Sequence, residues 1–358
     1  MSLSTPPREA APTSGRTAFA AGTLPGWAPW ATLTAAVAVG AGLTVGAGVH
    51  IGLATLLTMI VNSAVLYVWS RAVEGSRRAT DRVVTAVVTS AFLVALLPLL
   101  SVVVTVLQKG LVRFDAEFFT YSMRGIVGEG GGIYHALIGT LIITGLAAVI
   151  SIPVGLLSAI YLVEYGRGRL AKTITFFVDV MTGIPSIVAG LFAYALFVLF
   201  FGPGVRMGFA GAVALSVLMV PVVVRATEEM LKLVPNELRE AAFALGVPKW
   251  RTVVKVVLPT AVAGIASGIT LAIARVIGET APLLIVAGTT TSVNLNPFEE
   301  GRMATLPVFA YYSYSVPGVP REPYLDRAWA AALLLILIVM TLNLVGRVIA
   351  RVFAPKTR

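Results

Sequence analysis

Eight long apolar stretches set the limits on what this chain can become. They lie near residues 28–47, 51–69, 84–107, 135–162, 174–201, 208–224, 260–288 and 328–349. A helix needs about 20 mostly apolar residues to cross a bilayer core. Backbone inside lipid must also satisfy its own hydrogen bonds, so each stretch predicts a helix. The expected fold class is an all-α polytopic membrane protein. Composition agrees: at 57% hydrophobic and 12% charged residues, the chain is too apolar for a soluble protein of 358 residues. The first two stretches are Ala/Gly-rich and separated only by the turn "GAGVHIG" (46–52). No internal repeat is evident.

Charge alternates between the connecting segments. Place 70–83, 163–173, 225–259 and both tails on one side. There Lys and Arg outnumber Asp and Glu more than two to one, whereas on the other side, mainly 108–134, 202–207 and 289–327, the signs balance. Excess Lys and Arg mark the cytoplasmic face, so both termini are expected there if the first two segments span. The net charge of +10 then reflects topology rather than nucleic acid binding. Residues 1–26 read as a Pro/Ser/Thr/Ala-rich disordered tail, followed by an uncleaved apolar run, and 352–358 as a second tail. The chain has no cysteine and only His50 and His135, which excludes disulfides and leaves little for histidine chemistry.

The most patterned polar segment is 225–259. It predicts two short helices, one from Pro235 to Leu245 with Gly246 as its C-terminal stop, and one from Pro248. The second carries Trp250, Val253, Val254 and Val257 at helical spacing among Lys249, Arg251 and Lys255. Such a basic amphipathic helix could lie on the membrane surface. Its spacing points elsewhere. "EAAFALGVPKWRTVVKVVLP" (240–259) has EAA, three residues, Gly, nine residues, an aliphatic, one residue and Leu-Pro. This resembles the EAA loop of bacterial ABC importer permeases, with Glu240, Ala241, Ala242, Gly246, Leu258 and Pro259 in matching positions and Val256 for the commoner Ile. The resemblance implies a coupling helix that docks on an ATP-binding subunit.

Three more segments resemble the PstA-type phosphate permeases: "TGIPSIVAGLF" (182–192), "ARVIGETAPLLI" (274–285) and "MATLPVFAYYSYS" (303–315). The likeness implies a six-span type I importer domain over 80–351. It leaves 27–70 as two additional spans without an assigned role. In "ARVIGETAPLLI", Arg275 and Glu279 stand one turn apart if the run is one helix, about 20 Å into it and near mid-membrane. An Arg there costs about 2.5–3.5 kcal/mol on insertion scales, so it is expected to face a cavity or a partner. Two readings stay open: a structural ion pair, and an anion site on the pathway. Arg suits bidentate contact with phosphate oxygens, and a carboxylate can accept the proton that phosphate carries and sulfate lacks. Arg225 is a second pathway candidate or a snorkelling anchor. Asp179 receives no role, and Gly183 and Pro185 are expected to kink their span.

"GRGRLAKT" (166–173) falls short of a P-loop, because Ala171 replaces a required Gly and no strand precedes it. No cofactor is expected on this chain, and ATP and Mg belong to a partner. No HExxH is present, and Ser267 in "GIASG" (264–268) has no well-placed histidine, so small residues there imply close helix packing. The family resemblance implies a bacterial plasma-membrane subunit without catalytic residues of its own. Its partners would be a PstC-like permease, a dimer of PstB-like ATP-binding subunits, an extracytoplasmic PstS-like phosphate-binding protein and membrane lipid. The outer segments 108–134 and 289–327 would face the binding protein, with Tyr311, Tyr312 and Tyr314 as interfacial aromatics. Rival readings are a molybdate or sulfate importer, and a secondary transporter or channel. Neither of the last two accounts for the EAA loop.

Overall fold

A computed structural model of the chain describes residues 22–353. The rest of the two expected tails, 1–21 and 354–358, lies outside the described residues. The chain divides into two units, Met1–Val102 and Val103–Arg358. Among the described residues all regular structure is helical, and seven helices are long and apolar enough to cross a membrane, with one further bent pair.

The first unit is built from α1 (Ala28–Ala47), α2 (Ile51–Glu74) and most of α3 (Ser76–Gly110). The α1–α2 turn works because Gly48 takes φ +64°, a conformation that side chains with a Cβ resist. His50 Nδ1 then accepts from the Gly52 N–H at 3.2 Å and starts α2. Residues 22–26, which composition assigns to the tail, include a buried Leu24 whose N–H donates to Glu74 Oε1 at 2.8 Å. Ser70 and Arg82 also donate to the buried Glu74 carboxylate, which ties the ends of α2 and α3 together.

In the second unit, α3 ends and a short α4 (Ala116–Thr120) leads to α5 (Tyr134–Ile160), which continues into a π-turn at Tyr161–Tyr165. The expected span 174–201 is two helices, α6 (Arg169–Thr182) and α7 (Ser186–Phe201), bent by 111° at the Gly183–Pro185 break. The expected kink is therefore a fold-back, and the stretch is not a straight span. Next come α8 (Gly208–Lys232), α9 (Asn236–Ala244), α10 (Lys249–Thr252), a π-turn at Val253–Val257 and α11 (Leu258–Val276). The expected span 260–288 also breaks: α11 stops at Val276, and α12 (Ala281–Val286) follows after a turn. The chain closes with α13 (Leu306–Ser315) and α14 (Glu322–Phe353).

Proline alone does not decide these breaks. Pro98, Pro153 and Pro221 sit inside continuous helices. Pro185 and Pro282 differ in having a glycine within the four preceding residues, Gly183 and Gly278. A proline removes one backbone donor and its ring crowds the carbonyl four residues back. A nearby glycine lowers helix propensity by a further 0.8–1.0 kcal/mol or so, and there the helix gives way.

The core of this unit packs α5 and α8 against α11 and α12, through Ile143, Leu215, Met219 and Val276. Small residues allow close approach. A Cβ on Gly268 would lie 2.5 Å from Ala226 Cβ, and one on Gly264 2.1 Å from Met230 Sδ, so "GIASG" is a packing face as expected. The segment 289–327 is not an open loop. Its α13 buries Leu306, Pro307 and Phe309, and the Leu306 N–H donates to Thr140 Oγ1 at 2.8 Å. Tyr311 and Tyr314 remain exposed.

The packing gives a direct test. A Cβ on Gly155 of α5 would lie 2.6 Å from Val223 Cγ1 of α8, while one on Gly145 meets nothing within 4 Å. Gly155→Leu is expected to cost about 1–3 kcal/mol through overpacking. That appears as a lower melting temperature in detergent, with Gly145→Leu melting as the wild type.

Candidate functional site

The two breaks face one another. The turn between α6 and α7 and the turn between α11 and α12 line a cavity of about 280 Å³, whose third wall is α8 at Leu218, Pro221 and Val222. Thr182, Pro185, Ser186, Arg275 and Glu279 all open onto it. The two breaks are locked together nearby, since a Cβ on Gly190 of α7 would lie 2.6 Å from Pro282 Cα of α12. At about 30 Å³ per water, the space holds an oxyanion with part of its hydration.

Arg275 occupies the last turn of α11 and is exposed within the isolated chain. Glu279 is half-buried and lies in the turn that follows, where its N–H donates to the Val276 carbonyl at 3.1 Å. The two are therefore not on one face of one helix, as the uninterrupted spacing predicts. No ion pair joins them among the described residues, whose salt bridges all lie elsewhere. A guanidinium and a carboxylate thus meet the same small cavity without neutralising each other. The cavity also adjoins the start of α7, where the Ser186 and Ile187 N–H groups precede the first intrahelical bond, made by Val188 to Pro185. Such groups carry partial positive charge.

Arg225 lies inside α8, which continues to Lys232. It is one turn beyond the cavity wall and does not line the cavity. Its guanidinium pairs with Asp179 of α6, and at 2.7 Å with Glu228, which also takes Lys232 at 2.7 Å. Asp179 is the residue that sequence reasoning left without a role. Its one signal was a carboxylate inside an apolar run, and its partner is 46 residues away.

The EAA segment folds close to its expected bounds, with α9 one residue inside them at each end. Gly246 takes φ +73°; its N–H donates to Phe243 O at 2.9 Å and the Val247 N–H to Ala242 O at 3.1 Å, a Schellman stop. Pro248 caps α10. Glu240 and Ala241 are exposed and Ala242 is buried, while Phe243, Leu245 and Trp250 present apolar surface to the outside. Leu258 and Pro259 open α11, continuous with α10 through the π-turn. A further residue, missed from sequence, fixes this segment. Arg239 donates twice to the buried Glu164 carboxylate at 2.8 and 3.0 Å, and to the carbonyls of Leu231 and Val234. It thereby ties α9 to the ends of α5 and α8. Loss of one partner of a buried pair commonly costs about 3–5 kcal/mol, so Arg239→Ala is expected to release α9. Faster proteolysis or hydrogen exchange over 235–245 would register it, with the spans unchanged.

Comparison with known proteins adds an independent line. Residues 151–358 match the family described as "Binding-protein-dependent transport system inner membrane component". The chain is 48% identical over 285 residues to "Phosphate transport system permease protein PstA 1" of Mycobacterium tuberculosis (strain ATCC 25618 / H37Rv), an alignment covering 79% of this chain and 91% of that protein. It is 38% identical over 304 residues to "Phosphate transport system permease protein PstA" of Yersinia pestis, covering 82% and 97%. Among solved structures it is similar to a chain of the inward-facing MetNI methionine ABC transporter, with TM-score 0.48, 23% identity, and 63% of this chain and 95% of that chain covered.

Proposed function

The chain belongs to the binding-protein-dependent membrane permeases, in their PstA group, and from that premise we infer that it forms half of an ATP-driven pathway for inorganic phosphate. One observation supports this most: a guanidinium with no ion pair among the described residues and a carboxylate share one cavity between two broken spans. Irregular backbone at membrane depth is tolerated where it lines a cavity. Arg275 supplies a planar fork of donors for phosphate oxygens. Glu279 accepts the phosphate O–H. Arg225, held by Asp179 and Glu228, lies one turn further along the same route.

Coupling runs through α9 and α10. Glu240, Ala241 and the apolar rim beside them dock on an ATP-binding subunit. Arg239 transmits the resulting push to α5 and α8, and Leu258–Pro259 carries it into α11, which ends at Arg275. ATP and Mg are bound on that partner, a second permease completes the pore, and a binding protein delivers phosphate from outside. Both termini face the cytoplasm of a bacterial cell. The test is ATP-dependent uptake of labelled phosphate by the reconstituted complex. Phosphate uptake driven by ATP is the expected result, and absence of uptake from a fully assembled complex rejects the reading.

Gly246 tests the coupling. Nothing lies within 4 Å of a Cβ placed there, so the effect of Gly246→Val comes from the left-handed backbone alone. That conformation costs an L-residue about 1–2 kcal/mol. Uptake is expected to fall severalfold at unchanged membrane abundance. Normal uptake at normal abundance would count against docking through this turn.

A further inference from the structure

The ion pair between Asp179 and Arg225 stands just beyond the cavity of Arg275 and Glu279. On α8, Leu218 and Val222 line that cavity, and Arg225 follows them at helical spacing on the same face. On α6, Thr182 lines it, and Asp179 stands one turn back. The pair therefore joins the same two helices that wall the cavity, one turn nearer to the end of α8 that leads into α9. The first guanidinium, Arg275, is open to an anion, and the second, Arg225, is occupied.

The two carboxylates on Arg225 are held unequally. The Glu228 side chain is 12% exposed, belongs to α8 itself and takes two cations, Arg225 and Lys232, each at 2.7 Å. The Asp179 side chain is 60% exposed, comes from another helix and pairs with Arg225 alone among the described residues. Glu229, exposed one turn from Arg225, makes no ion pair among them. An exposed pair is favoured over its separated charges by a factor of about five at most. A guanidinium binds phosphate more strongly, through two parallel bonds. An anion leaving the cavity can thus displace Asp179 from Arg225 while Glu228 stays. We propose that Asp179 is an exchangeable counter-ion, which yields Arg225 to the incoming phosphate and then takes Arg225 back, releasing the anion towards the cytoplasm. The inference rests on the phosphate pathway proposed above. Asp179 is a positioning residue in it, acting on the anion through Arg225. Without its carboxylate, Arg225 holds phosphate longer and release slows.

The experiment uses the complete transporter in proteoliposomes, with its binding protein and labelled phosphate outside, and ATP with graded unlabelled phosphate inside. Chloride keeps the internal ionic strength constant, and initial rates of uptake are compared. Internal phosphate occupies Arg225 and slows uptake. Asp179→Asn should be half-inhibited at about three- to fivefold less internal phosphate than the wild type, and its maximal rate should fall. Asp179→Glu keeps a carboxylate and should stay within about twofold of the wild type. The half-inhibiting concentration does not depend on how much transporter assembles, so it separates this role from a loss of folding. Equilibrium binding of labelled phosphate to the purified transporter reads the same shift where uptake is too slow. No ATP-driven uptake by the wild type would reject the pathway, and this inference with it. With wild-type uptake intact, an unshifted Asp179→Asn would overturn the inference even if its rate falls, because a mere clamp between α6 and α8 leaves the affinity for internal phosphate alone. An equal shift in Asp179→Glu would overturn it as well.

Discussion

Arg275→Gln is expected to abolish phosphate uptake while the protein still inserts and assembles. Arg275 is exposed in the isolated chain and makes no ion pair among the described residues, so its loss should leave the packing of α11 intact. On the proposed reading, what would disappear is a bidentate, charge-assisted contact with phosphate. At about 1.5–3 kcal/mol for each hydrogen bond to a charged group, two bonds correspond to a loss of about 100-fold or more. Arg275→Lys keeps the charge and loses the fork, so partial activity is the most it can retain. Uptake normalised to membrane abundance checks both, and near-normal uptake by Arg275→Gln would remove Arg275 from the pathway.

The second large effect is on selectivity. Glu279 as a carboxylate only accepts hydrogen bonds, so on the proposed reading it would favour a protonated oxyanion and repel sulfate. Glu279→Gln keeps the shape, adds an amide donor and removes the charge. Two like charges about 4 Å apart at an effective dielectric of about 20 repel by about 4 kcal/mol. Glu279 is only half-buried, so solvent screens part of this. A relaxation of about tenfold, equivalent to about 1.4 kcal/mol, is the expected size. The external binding protein filters substrates first, so the comparison needs a complex that transports without it. Phosphate flux should persist and sulfate flux should rise. An unchanged flux ratio with phosphate transport intact would show that Glu279 does not discriminate.

Helix content and the EAA helices were legible because they are written in local signals. Apolar runs of span length, Gly246 after Leu245 and Pro248 before a Trp/Val stripe each act within a few residues. The breaks were only half legible. Gly183 and Pro185 are adjacent enough to suggest a kink, but its 111° depth depends on how α7 packs against α12. The α11 break was missed, although Gly278 and Pro282 carry the signal, because the hydropathy of 260–288 runs on without a gap. That miss changed the geometry of the site, placing Glu279 in a turn rather than on the face below Arg275. The Asp179–Arg225 and Glu164–Arg239 pairs are 46 and 75 residues apart in the chain. Contacts of that separation leave no spacing to read.

The central claim is that Arg275 and Glu279 form an anion site and not a self-neutralising pair. The measurement that bears on it most directly is phosphate uptake by the double variant Arg275→Gln with Glu279→Gln, beside each single variant, in the reconstituted complex at matched abundance. If the site is for phosphate, removing the carboxylate cannot replace the lost guanidinium, and the double variant stays as inactive as Arg275→Gln. If the pair only balances charge within the membrane, the double variant recovers uptake towards the wild-type level, and the account given for this cavity is wrong.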